Sequence, residues 1–160
     1  MATEVKAPNH YETMDNVTVF LAGSIEQGKA EPWQLRLFDA LKDEENVVVL
    51  NPRREEWNAS WEQSIMNGQF REQVEWEIEA QENADIIAMY FDPNTKSPIT
   101  LLELGLFART GKLIVCCPEG YWRKGNVDVT CNFYGVQQAQ DFDQLVGMVK
   151  SDITLIRAGQ

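Results

Sequence analysis

Glu103 stands in the run Pro98-Ile-Thr-Leu-Leu-Glu-Leu-Gly105, a carboxylate among Leu101, Leu102, Leu104 and Leu106. In such company it either points along its helix toward a polar rim or is desolvated at a cost. The plain alternative is a solvated glutamate that supports the first turns of a helix. A second group of acids lies upstream, where Gln73 and Glu77 are four residues apart and share one helical face, as do Glu75 and Glu79. Trp76 and Ile78 alternate with them, so this helix has a wet face and a packed one; a charged solvent face is the plain alternative here. Two carboxyl groups at one rim suit glycosyl chemistry. In a retaining mechanism one attacks the anomeric carbon and the other carries protons, with the two ~5 Å apart. A nearby negative charge also stabilises the oxocarbenium-like transition state. Gly23-Ser24 adds a place where a ligand can approach backbone N–H groups closely, although a glycine after a strand often only makes a turn. There is no complete G-x-G-x-x-G, which disfavours a dinucleotide site.

The elements that must position these residues read as alternating strands and helices. Val17 to Ala22 is a short apolar run closed by Gly23-Ser24, Val47 to Leu50 is stopped by Asn51-Pro52, and Ile86 to Phe91 ends in Asp92-Pro93. Leu113 to Cys117 reads as a fourth strand and a brief fifth lies near Tyr134 to Gln137. Helices are expected over Glu31 to Leu41, about Glu62 to Glu82, from Ser97-Pro98 to Gly111, somewhere in Trp122 to Asn132, and from Asp141 to about Lys150. In the third of these, Ile99, Leu102 and Phe107 are expected to form the apolar face. The pattern predicts an α/β fold: three layers around a doubly wound, mostly parallel five-stranded sheet of the flavodoxin-like type. Ligands of such folds sit outside the carboxyl ends of the strands, here Gly23-Ser24, Asn51-Pro52-Arg53, Asp92 and Glu119-Gly120.

Length and composition bound the rest. A chain of 160 residues suits one domain, taken as 16–160 behind a loosely held tail over 1–15. The tail lacks the apolar core of a signal peptide, and no apolar run approaches the ~20 residues of a membrane span, so a cytoplasmic protein is expected. A formal charge of −11 repels phosphate backbones and anionic lipid, which excludes nucleic acid and membrane as partners and favours a small ligand. Cys116, Cys117 and Cys131 are odd in number and two are adjacent, so they read as buried thiols rather than a disulfide framework. With one histidine, His10, in the whole chain, a metal site is not expected.

Five blocks in order and register carry a resemblance: Phe20-Leu-Ala-Gly-Ser-Ile25, Asn51-Pro-Arg-Arg54, Glu75-Trp-Glu77, Ala84-Asp-Ile86 and Pro98-Ile-Thr-Leu-Leu-Glu-Leu-Gly105. Together, over roughly Val17 to Val149, they resemble the nucleoside 2-deoxyribosyltransferase superfamily, and within it the nucleoside 2-deoxyribosyltransferase-like branch. The resemblance implies that Glu103, in its Glu-Leu-Gly block, is the nucleophile. It implies a second acid at Glu77, eight residues ahead of the aspartate that opens the third strand, Asp85. The transferases commonly have aspartate at that position, so Glu77 lengthens the arm by one methylene. A tyrosine that orients the nucleophile in many members is replaced by Phe20. Six residues before the nucleophile the transferases tend to have aspartate, whereas the related deoxynucleoside monophosphate N-hydrolases have a phosphate-holding serine; this chain has Ser97. Ser24, Arg53 and Arg54 are available to reinforce such a clamp. Ser97 beside Pro98 is equally explained as a helix cap, and the cap is the favoured reading.

What the resemblance implies as an activity is cleavage of a (deoxy)nucleoside N-glycosidic bond and transfer of the sugar to another free nucleobase, with no cofactor. The alternatives are hydrolysis of a nucleoside 5′-monophosphate and a nucleotide-binding module without turnover. Candidate substrate-binding residues are Phe20, Gly23, Ser24, Asn51, Arg53, Gln73, Asp92, Ser97 and Asn126. A homo-oligomer with shared active sites is implied too, with the segment from Tyr121 to Asp128, and Asn126 in it, reaching across. Trp57, Trp61 and Trp76 are available to stack bases, though large aromatics serve more often in cores and interfaces.

Overall fold

A computed structural model describes residues 1–25, 32–53 and 60–160. Six strands and five helices follow one another as β1 (Thr3–Lys6), β2 (Val17–Gly23), α1 (Trp33–Leu41), β3 (Val47–Asn51), α2 (Gly68–Asn83), β4 (Ile86–Tyr90), α3 (Pro98–Phe107), β5 (Leu113–Cys116), α4 (Lys124–Tyr134), β6 (Gln137–Ala139) and α5 (Phe142–Ala158). All strand pairs are parallel, in the order β1-β3-β2-β4-β5-β6. Without β1 this is the flavodoxin-like order, in which the chain reverses its winding between β2 and β4.

The alternation of side chains along the strands divides the core into two layers. Phe20, Leu50, Ile87, Met89 and Val115 pack under Ala80 of α2, Leu104 and Phe107 of α3, and Val127 and Cys131 of α4. Val19, Leu21, Val49, Ala88 and Ile114 face Trp33, Leu37 and Leu41 of α1 and Leu145, Val149 and Ile153 of α5. Strands buried on both faces read as continuous apolar runs, which is why β2 to β5 are visible in the sequence.

Three expectations are corrected. The sheet has six strands rather than five, because Thr3–Lys6 pairs with β3 at the sheet edge. An edge strand needs no apolar run, and Thr-Glu-Val-Lys offers none. The last strand lies at Gln137–Ala139 rather than Tyr134 to Gln137, because α4 continues to Tyr134 and Gly135, at φ 68°, closes it in a left-handed cap. On α3 the core face is Thr100, Leu104 and Phe107, while Ile99 and Leu102 are 60% and 59% exposed.

The end of β2 depends on having no side chain at Gly23. A Cβ built there lies 2.3 Å from the Tyr90 carbonyl oxygen and 2.7 Å from Cζ2 of the buried Trp33, and φ is 154°. Gly23→Ala is therefore expected to push β2 from β4 and cost about 2–4 kcal/mol of stability. A urea unfolding midpoint equal to that of the unmodified protein would refute this account of the β2 end.

Candidate active site

Helix α2 begins where Asn67 accepts a hydrogen bond from the Phe70 N–H at 3.0 Å, and its sequence then sets Gln73, Glu77 and Gln81 in one row at i, i+4 and i+8. Gln73 and Gln81 are buried, whereas Glu75 and Glu79 on the other face are exposed and Glu75 pairs with Arg71. Across the row stands Glu103 of α3. At 100° per residue it lies between the face that packs on the sheet and the exposed face of Ile99, Leu102 and Leu106.

The row is hydrogen-bonded along its length. Gln73 Nε2 donates to the Pro52 carbonyl at 2.7 Å and to Glu77 Oε1 at 3.3 Å. Gln81 Nε2 donates to the Glu77 carbonyl at 3.1 Å and to Glu103 Oε2 at 2.6 Å. Burial, opposed by the Gln73 bond, raises the Glu77 pKa to about 7; burial together with the charge of Glu77, opposed by the Gln81 bond, raises that of Glu103 to about 8. The two carboxyl groups therefore titrate as a pair that holds one proton between them close to neutral pH.

A second polar group closes the β2–β4 crevice. The Ser24 hydroxyl bonds to that of Ser97 and accepts from the Asp92 N–H and from Thr95 Oγ1, both at 2.9 Å. Thr95 and Ser97 hydroxyls are 2.7 Å apart, and Ser24, Asp92, Thr95 and Ser97 are all buried. Asp92 Oδ1 accepts from the Asn94 N–H at 2.8 Å. Ser97 occupies the position before α3 but makes no side-chain cap bond, which corrects the cap reading. Its left-handed backbone, φ 45° and ψ 56°, differs from the extended conformation from which a cap hydroxyl reaches the helix N–H groups, and its oxygen meets Ser24 and Thr95 instead.

Asn51 and Arg53 belong to a third place. Asn51 Oδ1 accepts from the Arg53 N–H at 2.9 Å and its Nδ2 donates to Glu4 Oε2 at 3.2 Å. Both residues line a cavity of about 380 Å³ with Glu4, Lys6 and Gln34. The Gln73–Pro52 bond links this loop to the acid row. Arg54 and Trp57 lie outside the described residues. Phe20 is fully buried in the core layer of Ala80 and Leu104, and Trp76 packs on it while donating its indole N–H to the Asn9 carbonyl. Asn126 is exposed on α4 and lines a cavity of about 500 Å³ with Leu101, Leu104, Gly105, Arg123 and Thr130. Leu101 and Gly105 are roughly 160–200° around α3 from Glu103, so one chain does not bring Asn126 to the carboxyl pair.

The fold thus gathers Gln73, Glu77 and Glu103 in one cluster and Ser24, Asp92 and Ser97 in another. Sequence reasoning missed Gln81 and Thr95. Gln81 was detectable as the next member of the Gln73–Glu77 row, whereas nothing local in Asp92-Pro-Asn-Thr95 marks Thr95. Among the described residues no group of His, Cys, Asp and Glu is arranged to hold a metal ion, and no helix is long and apolar enough to cross a membrane. The three cysteines are buried and free, with burial pushing Cys116 and Cys131 up to about 11 and Cys117 to about 12.

The shifted carboxyls link stability to pH. The folded protein binds more protons than the unfolded chain from the ordinary glutamate value of 4.5 up to about 8, so stability is lost as pH rises through that window. Glu103→Gln removes much of this dependence and is expected to raise stability at pH 8 by about 3 kcal/mol relative to the parent. Urea unfolding at pH 5 and pH 8 measures it; equal pH slopes in the two proteins would contradict the burial of Glu103.

Comparison with curated proteins finds no match. A family model described as nucleoside 2-deoxyribosyltransferase-like matches residues 16–121, which hold β2 to β5, both carboxyl groups and the hydroxyl cluster. The chain belongs to the nucleoside 2-deoxyribosyltransferase-like family.

Proposed function

We propose that this protein cleaves the N-glycosidic bond of an unphosphorylated (deoxy)nucleoside and transfers the sugar to a second nucleobase, with Glu103 as nucleophile and Glu77 as proton carrier. The observation that carries this reading is the hydrogen-bonded row of half-buried acids, in which Gln73 holds Glu77 and Gln81 joins the Glu77 main chain to the Glu103 carboxylate across two helices. One carboxylate and one carboxylic acid side by side are what retaining glycosyl transfer needs. In the first step the C1′–N bond breaks, its electron pair goes to the base nitrogen, and the Glu77 proton neutralises the departing base. A Glu103 carboxylate oxygen bonds to C1′ as an ester. In the second step a nitrogen of the incoming base attacks C1′, Glu103 leaves as carboxylate, and the proton of that nitrogen returns to Glu77.

The 5′-monophosphate reading relied on Ser97, and its hydroxyl is spent on Ser24 and Thr95 inside a buried cluster. That engagement supports a substrate without phosphate. A binding module without turnover has no need of two adjacent carboxyls held against their own repulsion.

The reading includes an oligomer. Ile99, Leu102 and Leu106 expose one face of α3, and Val129 and Phe133 one face of α4, beside the cavity that holds Asn126. A second copy of the chain covering these faces would bury them and bring its own groups to the site, in keeping with a pair of acids that lacks Asn126 in its own chain.

Chromatography with a deoxynucleoside and a second free base is expected to show a new nucleoside only when both are present. Glu103→Ala and Glu103→Gln are expected to lose roughly a thousandfold or more of the rate with the fold intact. Full rate in either variant would remove Glu103 from the mechanism. The rate should follow a bell between about pH 7 and 8, falling in acid as both carboxyls are protonated and in base as both are ionised. Glu103 holds the proton more tightly than Glu77, so the reactive form is the minor one of the singly protonated pair. A rate flat from pH 5 to 9 would sink the shared-proton mechanism. In sedimentation, Leu102→Asp is expected to yield monomers with little transfer activity; a monomeric parent protein would refute the shared site.

A further inference from the structure

Phe20 removes the hydroxyl that the resemblance associates with orienting the nucleophile, which raises the question of what orients Glu103 in this chain. We propose that Gln81 is the positioning residue for Glu103, holding one carboxylate oxygen from α2 so that the other is presented to the sugar. This rests on the reading of Glu103 as nucleophile.

The geometry of the amide carries the argument. Gln81 Nε2 has two hydrogens and both are used, one on the Glu77 main-chain carbonyl at 3.1 Å and one on Glu103 Oε2 at 2.6 Å. The first bond sets the sense of the amide, since a flipped side chain would bring Oε1 against that carbonyl oxygen. With the sense set by its own helix, Gln81 can only donate to Glu103, and a donor favours the carboxylate over the acid. A bond of 2.6 Å to one oxygen also restrains the Glu103 side chain.

The cost of this arrangement points the same way. Gln81 is fully buried and its Oε1 has no hydrogen-bond partner among the described residues. A buried acceptor left unpaired destabilises the fold, and an apolar side chain of the same length would avoid that. Packing therefore does not explain a glutamine here, whereas the bond to Glu103 does. Among the described residues the charged group that bears on Glu103 is Glu77, on the same helix as Gln81; Arg123, just before α4, lines the cavity on the opposite side of α3.

Gln81→Met keeps the length and removes the donor, and Gln81→Asn keeps the amide but shortens its reach. Both are expected to lower kcat roughly ten- to hundredfold with KM within about threefold. Both should also move the Glu103 titration upward from about 8, followed by NMR of 13C-labelled glutamate in the protein without substrate. A merely structural glutamine would change the melting temperature and leave that titration in place. If either variant folds with the parent titration and parent kcat, the proposal is overturned. If instead Glu103→Gln leaves activity intact, the glycosyl reading fails, while the titration still reports whether Gln81 holds Glu103.

Discussion

Strand β2 is the constraint on which the other elements depend. It pairs in parallel with β3 on one side and β4 on the other, is buried on both faces, and ends where the Tyr90 carbonyl comes too close for any side chain at Gly23. Winding reverses at this strand, so the chain leaves it toward α1 on one face while α2 and α3 cover the other. The crevice at the carboxyl ends of β2 and β4 follows from that reversal. Ser24, the first residue beyond the strand, is then positioned to gather Asp92, Thr95 and Ser97 around one hydroxyl.

The acid pair is a local conflict that this scaffold supports. Burial and mutual repulsion both favour the protonated forms, and two glutamine donors oppose them. A fold optimised for stability alone would place apolar residues in this row, since an unpaired charge among packed helices is expensive. Gln73 ties the row to the loop after β3 and Gln81 ties it to α3, so the conflict is confined to one stripe between two helices. Ala80, one residue before Gln81, and Leu104, one after Glu103, belong to the core layer that holds those helices in place.

The exposed faces of α3 and α4 belong to the same economy of faces. Glu103 uses the edge of α3 toward α2, Thr100, Leu104 and Phe107 use the face toward the sheet, and Ile99, Leu102 and Leu106 are left exposed among the described residues. A helix apolar nearly all round is normally buried all round. Here that description holds for one chain only on the side facing the sheet.

Much of this is legible in the sequence. The buried runs of β2 to β5 are apolar because parallel strands are covered on both faces, and Gly23-Ser24, Asn51-Pro52 and Asp92-Pro93 mark the strand ends where the crevice forms. The isolated acid in a leucine-rich helix and the four-residue spacing of Gln73 and Glu77 are local patterns, and local patterns survive in a sequence. What only tertiary structure decided are relations across elements. Gln81 meets Glu103 because of how α2 and α3 are set over β2, a register that no spacing within either helix encodes. The Ser97 hydroxyl turns to Ser24 rather than to its own helix because its backbone takes a left-handed conformation, which the Ser-Pro pair does not dictate. β1 joins the sheet although nothing in Thr-Glu-Val-Lys demands it, since an edge strand is held by backbone bonds to β3 and those bonds are blind to side-chain type.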